Sequence, residues 1–440
     1  MSPDAWGLSA GPSGHLMACE CDLFDLAHQY GTPLHVVNED RLHGNLRRFK
    51  ESFAGAAVEV RHYFSYKTNC VPRILKSLHD EGFGAEIASG YELWLARRLG
   101  VDPGNIVYNG VIKSRGDLEA AIASGVSINV DSATEAGVLR DVLSKSGRTV
   151  DLGIRVYPVT GWRAQFGLQP DANELMDICR RLASNGNCRI TSLHTHIGTG
   201  LTSVADYRTI AESLCSLARR IQDALGAPIR HINLGGGFGV PTVKTLSMPE
   251  VAHYKLFNHP PRPPRTRACP APEEFAAAIG AVFRRNGEKL GLMLEPGRVI
   301  SSDAQVLLVT VRDIKQRSNG RRYAVTDGGL QNIAFPLSYE YHHCFVANRA
   351  ISPATHRYYV TGPLCSPEDL LYRNWPLPEL AIGDVLAIMD SGAYFTSFSN
   401  NFSFPRPAIV MVSNGNASVI RERETFEHMI AMDMEDDPGR

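Results

Sequence analysis

Between Val58 and Leu294 the chain alternates eight times between a short apolar or β-branched run and a longer helix-like segment. The runs fall at Val58–Ser65, Gly84–Ala88, Ile106–Tyr108, Ser127–Val130, Leu152–Tyr157, Ile190–His196, His231–Leu234 and Leu292–Leu294. An open doubly wound sheet alternates in a similar way. Eight units in roughly 250 residues is the count that closes, so the rhythm predicts a TIM-like (β/α)8 barrel over residues 41–299.

The remainder of the 440 residues suits one or two further folding units. After about residue 300 the pattern changes to strands with few helices: Val306–Val311, Arg322–Val325, Arg357–Thr361, Val385–Met389 and Ala408–Val412 predict a β-rich domain over 300–440. The N-terminal segment 1–40 ends in Thr32-Pro-Leu-His-Val-Val37, and the strand Leu34–Val37 is expected to join that domain. Asn38 or Asp40 is placed to cap the helix that follows. A stretch at 240–272 containing His259-Pro-Pro-Arg-Pro-Pro-Arg265 interrupts the barrel rhythm after its seventh strand. So many prolines predict a long insertion without regular helix or central strand, on the face where barrel active sites lie. The acidic end, Asp433–Arg440, is expected to fray.

Charge and composition narrow the partners. A formal net charge of −1 gives no electrostatic reason to expect nucleic acid or an anionic membrane, and no apolar run reaches spanning length. The N-terminus shows no basic region followed by an apolar core, so no secretory signal is expected. Nine scattered cysteines suit reduced thiols in a cytoplasm better than a disulfide framework. Fifteen histidines offer no paired ligand spacing beyond His194-Thr-His196, so no metal centre is expected.

Barrel strands converge at their C-terminal ends, and the residues there are Lys67, Asn109, Asp131, Arg155, His196-Ile-Gly-Thr199, Gly235-Gly236-Gly237 and Glu295-Pro-Gly-Arg298. Each has an ordinary reading: Lys67 as a surface ammonium, His196 as a core ring, the glycines as a turn, Glu295 as a turn carboxylate. Together they form a set of complementary parts. A partly desolvated lysine can form a Schiff base, a carboxylate can keep a pyridine nitrogen protonated, and a flat ring can stack on a planar cofactor. A glycine run with Arg298 beside it can hold a phosphate through backbone N–H groups and a guanidinium. That is the donor set for pyridoxal 5′-phosphate.

From Thr32 to Val412 the chain resembles the fold-type III pyridoxal-phosphate decarboxylases, which include diaminopimelate and ornithine decarboxylases. The likeness rests on Thr32-Pro-Leu-His-Val-Val, Tyr66-Lys67-Thr-Asn69, Ala88-Ser-Gly-Tyr-Glu-Leu93, His194-Thr-His196-Ile-Gly-Thr199, Gly235-Gly-Gly237 and Glu295-Pro-Gly-Arg298. In the second domain it continues through Asp327-Gly-Gly, Gly362-Pro-Leu-Cys365, Asp369, Gly392-Ala-Tyr394, Ser399-Asn-Asn and Arg406-Pro. It implies an alanine-racemase-like barrel with a β-rich C-terminal domain. By resemblance, Lys67 holds the cofactor, His196 stacks on its ring, and Glu295 pairs with its nitrogen. Gly235, Gly236, Gly237 and Tyr394 bind its phosphate, with Thr199, Arg298 or both assisting. Cys365 is implied as the donor that returns a proton to the product from across a homodimer interface.

The implied substrate contacts are Arg298, Phe335, Tyr339, Ser366, Glu368 and Asp369, and several depart from the family pattern. Ser366 stands where relatives acting on basic amino acids carry an acid, Phe335 where diaminopimelate decarboxylases carry arginine, and Gln165 where a basic residue is usual. A serine cannot neutralise a distal ammonium, and leaving one unpaired costs several kcal/mol, on the order of other buried ions. These departures favour decarboxylation of an unusual amino acid or conjugate in a specialised pathway such as siderophore assembly. The alternatives are a diaminopimelate or other basic amino-acid decarboxylase, an amino-acid racemase, and a catalytically silent regulator of the same fold.

Overall fold

The structure, a computed structural model, describes residues 1–56, 58–171, 173–265, 268–286, 290–333 and 339–433. Two compact units share the chain. One comprises Gly44–Val240 and Arg267–Ile300, the other Met1–His43, Pro241–Thr266 and Ser301–Arg440.

In the first unit all eight expected strands form: β1 (Val60–Ser65), β2 (Gly84–Ile87), β3 (Ile106–Tyr108), β4 (Ser127–Val130), β5 (Val150–Arg155), β6 (Cys188–His194), β7 (His231–Asn233) and β8 (Gly291–Leu294). They are parallel, lie in chain order and close, with Leu292, Met293 and Leu294 of β8 opposite Val60, Arg61 and His62 of β1. Strands covered on both faces read as unbroken apolar runs, and every residue of β2, β3 and β8 is buried. The intervening helices are punctuated chemically. Ser89, Ser132 and Ser203 each accept the N–H three residues on, at 3.1–3.2 Å, and Gly125, Gly147 and Gly226 end their helices in the left-handed region.

β1 ends at Ser65, where the sequence predicts, and Tyr66–Thr68 forms a 3-10 turn leading to the helix Pro72–Asp80, so Lys67 sits on the turn just past the strand. One strand end differs from the expectation. β6 ends at His194, which leaves His196 in the loop that follows.

The second unit is built around Gln305–Gln316, a 12-residue strand shared between two pairings. Its first half pairs with Leu34–Asn38 and Val385–Ile388; beyond a bulge near Val311 its second half pairs with Arg322–Thr326. Leu34–Asn38 is thus a member of this sheet, flanked on its other side by Ala408–Ser413 in parallel. Its last residue, Asn38, caps the next helix by accepting the Arg41 N–H at 2.8 Å. Short strands at Ser9–Ala10, Leu16–Ala18 and Cys21–Asp22, and the edge strands Leu370–Leu377 and Asn416–Arg421, were not anticipated.

The Pro-rich insertion is a correction. Pro241–Thr266 groups with the β-rich unit, and it contains a helix, Met248–Phe257. Pro249 lies in the first turn, where no N–H partner is lost, Ser247 and Glu250 form a capping box, and Asn258 ends the helix in the left-handed region. The dense prolines start only at Pro260, and residues 259–265 carry no regular structure, as their composition predicts. Of the acidic end, residues 434–440 lie outside the described residues.

Candidate active site

The barrel unit gathers Lys67, His196, Thr199, Gly235, Gly236, Gly237, Glu295 and Arg298 at the C-terminal ends of its strands. Below them lies a layer of buried polar side chains. Lys67 Nζ donates to Glu86 Oε2 at 2.5 Å and to Ser65 Oγ at 2.8 Å. Its own side chain is 44% exposed, whereas that of Glu86 is 1% exposed, so the amine stands at the mouth with its counter-ion in the interior. Asn109 Nδ2 donates both to Glu86 Oε1 at 3.2 Å and to Glu295 Oε1 at 2.7 Å. Asn233 Nδ2 gives Glu295 Oε1 a second donor at 2.6 Å. Small residues make room for this layer: a Cβ on Gly153 would lie 1.7 Å from Asn129 Oδ1.

Glu295 Oε2 faces His194 Nε2 at 3.5 Å, in an alignment that leaves both ring nitrogens without a hydrogen bond. Burial works to raise the Glu295 carboxyl. It is outweighed by His194, by Lys67 and by the Asn109 donor, which hold the group below the ordinary carboxylate range. The acid is therefore an anion at neutral pH with one oxygen turned away from its amide donors.

His196 shows the opposite balance. Burial first, then Lys67, depress its pKa to about 3 against the pull of Glu295, so the ring is neutral. The Gly236 N–H donates to its Nδ1 at 3.3 Å, which places the ring proton on Nε2. Trp162 meets the same ring edge-on, centroids 6.1 Å apart.

Gly235 and Gly237 adopt φ of 66° and 90°, open only to glycine without strain. Side chains are also excluded by contact. A Cβ on Gly236 would lie 2.1 Å from the Glu295 carbonyl oxygen, and one on Gly237 2.3 Å from that of Gly198. Tyr207 Oη donates to Gly236 O at 2.7 Å and stacks on Phe238, fixing the run from beneath. Arg298 Nε reaches Thr199 Oγ1 at 3.4 Å. These groups fit pyridoxal phosphate: a backbone cradle without side chains beside a guanidinium and a hydroxyl, a neutral ring, a buried anion and an amine.

The β-rich unit carries the other candidates. Cys365 is exposed, between the strands His356–Thr361 and Leu370–Leu377, with Ser366 half-buried and Glu368 exposed beside it. Tyr394 has φ 73° at the start of the helix Phe395–Phe398. Tyr339 is 39% exposed, and Phe335 lies outside the described residues. Asp369 is 2% exposed, and both its carboxylate oxygens accept backbone N–H groups. Gln165 precedes Phe166, whose ring lies under the Arg155 guanidinium at 4.6 Å.

Sequence reading missed Glu86, Asn233 and Trp162. Glu86 had a signal, a lone carboxylate inside the otherwise apolar strand Gly84-Ala-Glu-Ile87. Among the described residues His15, Asp22 and Asp25 bring three possible metal-ligand atoms together, but Asp22 is already committed to capping the helix Leu23–Tyr30.

A family model described as the pyridoxal binding domain of pyridoxal-dependent decarboxylases matches residues 39–302. This chain belongs to the pyridoxal-dependent decarboxylases. The diaminopimelate decarboxylase of Methanothermobacter thermautotrophicus is 33% identical over 446 aligned residues, covering 98% of this chain and 97% of that one. That of Aquifex aeolicus is 28% identical, covering 95% of each. The crystal structure of the Methanocaldococcus jannaschii diaminopimelate decarboxylase superposes with a TM-score of 0.85 at 27% identity, over 97% of this chain and 98% of that one. As a member of the fold-type III family the protein is a carboxy-lyase that uses pyridoxal 5′-phosphate. Among the described residues no helix is long and apolar enough to cross a membrane.

Proposed function

We propose that this decarboxylase removes an α-carboxylate from diaminopimelate, working as a cytoplasmic homodimer. The observation that carries the reading is the likeness, over nearly the whole of each chain, to decarboxylases that act on that substrate. These relatives favour diaminopimelate over the specialised conjugate suggested by Ser366 and Phe335.

Bound pyridoxal phosphate supplies an aldehyde that condenses with amines and a pyridinium ring that takes up the electron pair left by departing CO2. The chain's residues do the rest. Lys67 would hold the cofactor through its amine, and Glu86 and Ser65 hold that amine in place when it is free. The Gly235–Gly237 run, Thr199 and Arg298 anchor the phosphate, assisted by Tyr394. Neutral His196 offers a flat face without adding positive charge over the ring. Anionic Glu295 would pair with the ring nitrogen and keep it protonated, which the electron uptake requires. A weak electron sink would suit racemisation, and a buried anion at this position argues for decarboxylation. Cys365 then returns a proton to the α-carbon, giving the amine.

The test is CO2 release from meso-diaminopimelate beside lysine, ornithine and citrate-type amino-acid conjugates, with chiral analysis of recovered substrate. Turnover on diaminopimelate at least a hundredfold above the others is expected. Strong turnover on a conjugate with none on diaminopimelate would restore the reading from Ser366, and racemised substrate without CO2 would overturn decarboxylation.

A further inference from the structure

Three sequence segments of the β-rich unit, Asp327-Gly-Gly329, Gly362-Pro-Leu-Cys365 and Asp369, meet at one point. Asp369 Oδ1 accepts the Leu330 N–H at 2.7 Å, and Oδ2 accepts the Leu364 N–H at 2.7 Å. Its main chain closes the same loop, since Gly362 N donates to Asp369 O and Asp369 N to Ser366 O, both at 3.1 Å.

The fit excludes any larger residue. A Cβ on Gly362 would lie 2.4 Å from Gly329 Cα, and one on Gly329 would lie 2.3 Å from Asp369 Oδ1. The two glycine segments therefore touch backbone to backbone, with the carboxylate wedged between them. Among the described residues no cation pairs with Asp369. A buried carboxylate held only by main-chain donors is costly to desolvate, and burial pushes its carboxyl up while the Leu330 and Leu364 N–H groups pull it down. What that cost secures is the orientation of one peptide, Pro363–Leu364, immediately before the residue that carries an exposed thiol.

We propose that Asp369 is a positioning residue: its carboxylate fixes the Pro363–Leu364 peptide, one residue before Cys365, and so sets where the Cys365 thiol delivers its proton. This rests on the reading of Cys365 as the proton donor. It differs from the role of substrate contact expected for Asp369, because both oxygens are occupied by backbone donors. The chemistry needs two acceptors. A carboxamide has one, and would turn its NH2 toward the other N–H.

Two readouts test it on the full-length protein. The first is the rate of Cys365 alkylation by iodoacetamide, followed by mass spectrometry of its peptide. The second is the ratio of amine to carbonyl product. If the proton were delivered to the cofactor's aldehyde carbon and not to the α-carbon, the cofactor would keep the electron pair and the amino nitrogen as its amine form, and water would supply the carbonyl oxygen of the product. Asp369→Asn is expected to change the alkylation rate at least fivefold and to raise the carbonyl fraction at least fivefold, with no further rise when added to Cys365→Ala. A lowered melting temperature with both readouts within twofold of wild type overturns the proposal. Should Asp369→Asn fail to fold, Leu330→Pro removes one donor at a helix N1 position that tolerates proline; the same directions are expected, and unchanged readouts again overturn the idea. If Cys365→Ala alone leaves the product ratio unchanged, the donor reading of Cys365 fails, and with it the catalytic half of this proposal, whatever the alkylation rates show.

Discussion

Asn109 is where two buried carboxylates are kept apart in role. Its amide donates to both, but Glu86 otherwise faces Lys67 and Ser65, whereas Glu295 otherwise faces His194 and Asn233. One acid serves the amine and the other the ring nitrogen. Glu295→Gln keeps the shape and removes the charge, so turnover is expected to fall by about 10²–10³-fold, in the range for loss of one preorganised electrostatic group. Cofactor binding, followed by visible absorbance, should change far less; a variant with wild-type kcat would refute the ring-nitrogen role. Glu86→Gln removes a charge-assisted bond worth roughly 1.5–3 kcal/mol, and is expected to weaken cofactor capture by Lys67 about tenfold or more in an absorbance titration. Lys67, His196 and Glu295 could be read from the sequence because each stands at the end of a strand in a barrel whose strand ends must converge. Glu86 could not be assigned its role, because the residue it serves is distant in sequence and only strand pairing brings β1 and β2 side by side.

The turn Gly235–Gly237 works as one element with the end of β8. The Glu295 N–H donates to Gly235 O at 2.9 Å, and Gly236 packs against the Glu295 carbonyl, so cradle and acid cannot move independently. Gly236→Ala places a methyl 2.1 Å from that oxygen, far inside contact distance, and the backbone must shift. The expected result is a loss of about 1–3 kcal/mol in urea unfolding, typical of overpacking, together with weakened binding of both cofactor and inorganic phosphate. Retention of phosphate affinity with lowered stability alone would mean that the run is only a turn. Elements with a strong period were legible before any coordinates: all eight barrel strands, and Leu34–Asn38 in the other unit. Those missed were two or three residues long, or edge strands such as Leu370–Leu377, whose Asn374 (φ 50°) and Pro376 interrupt the pattern. The insertion helix was missed because prolines were counted over the whole stretch, when a single one in the first turn of Met248–Phe257 favours a helix start.

At the scale of the molecule, buried and half-buried histidines link stability to acid. Burial depresses His196 and His35 to about 3, assisted by Lys67 and Arg421 respectively, and takes His62 and His343 to about 4, assisted by Lys50 and the N-terminal amine. In the unfolded chain all four take up protons near pH 6.5. Between there and pH 3–4 the unfolded state therefore binds more protons than the folded one. Their contribution is complete above pH 6.5 and is lost as pH falls toward the folded values, with roughly 3–5 kcal/mol at stake for each depression of this size. Urea midpoints measured from pH 8 to pH 4.5 are expected to be flat to about 6.5 and then to fall steadily. His62 offers an internal control, because its ring packs among Phe49, Phe53 and Phe83 and its Nε2 has no hydrogen bond. His62→Phe keeps the aromatic packing and removes the proton site, so it should leave the midpoint at pH 8 near wild type and make the decline below pH 6.5 shallower. An unchanged slope would mean that His62 is protonated in the folded barrel.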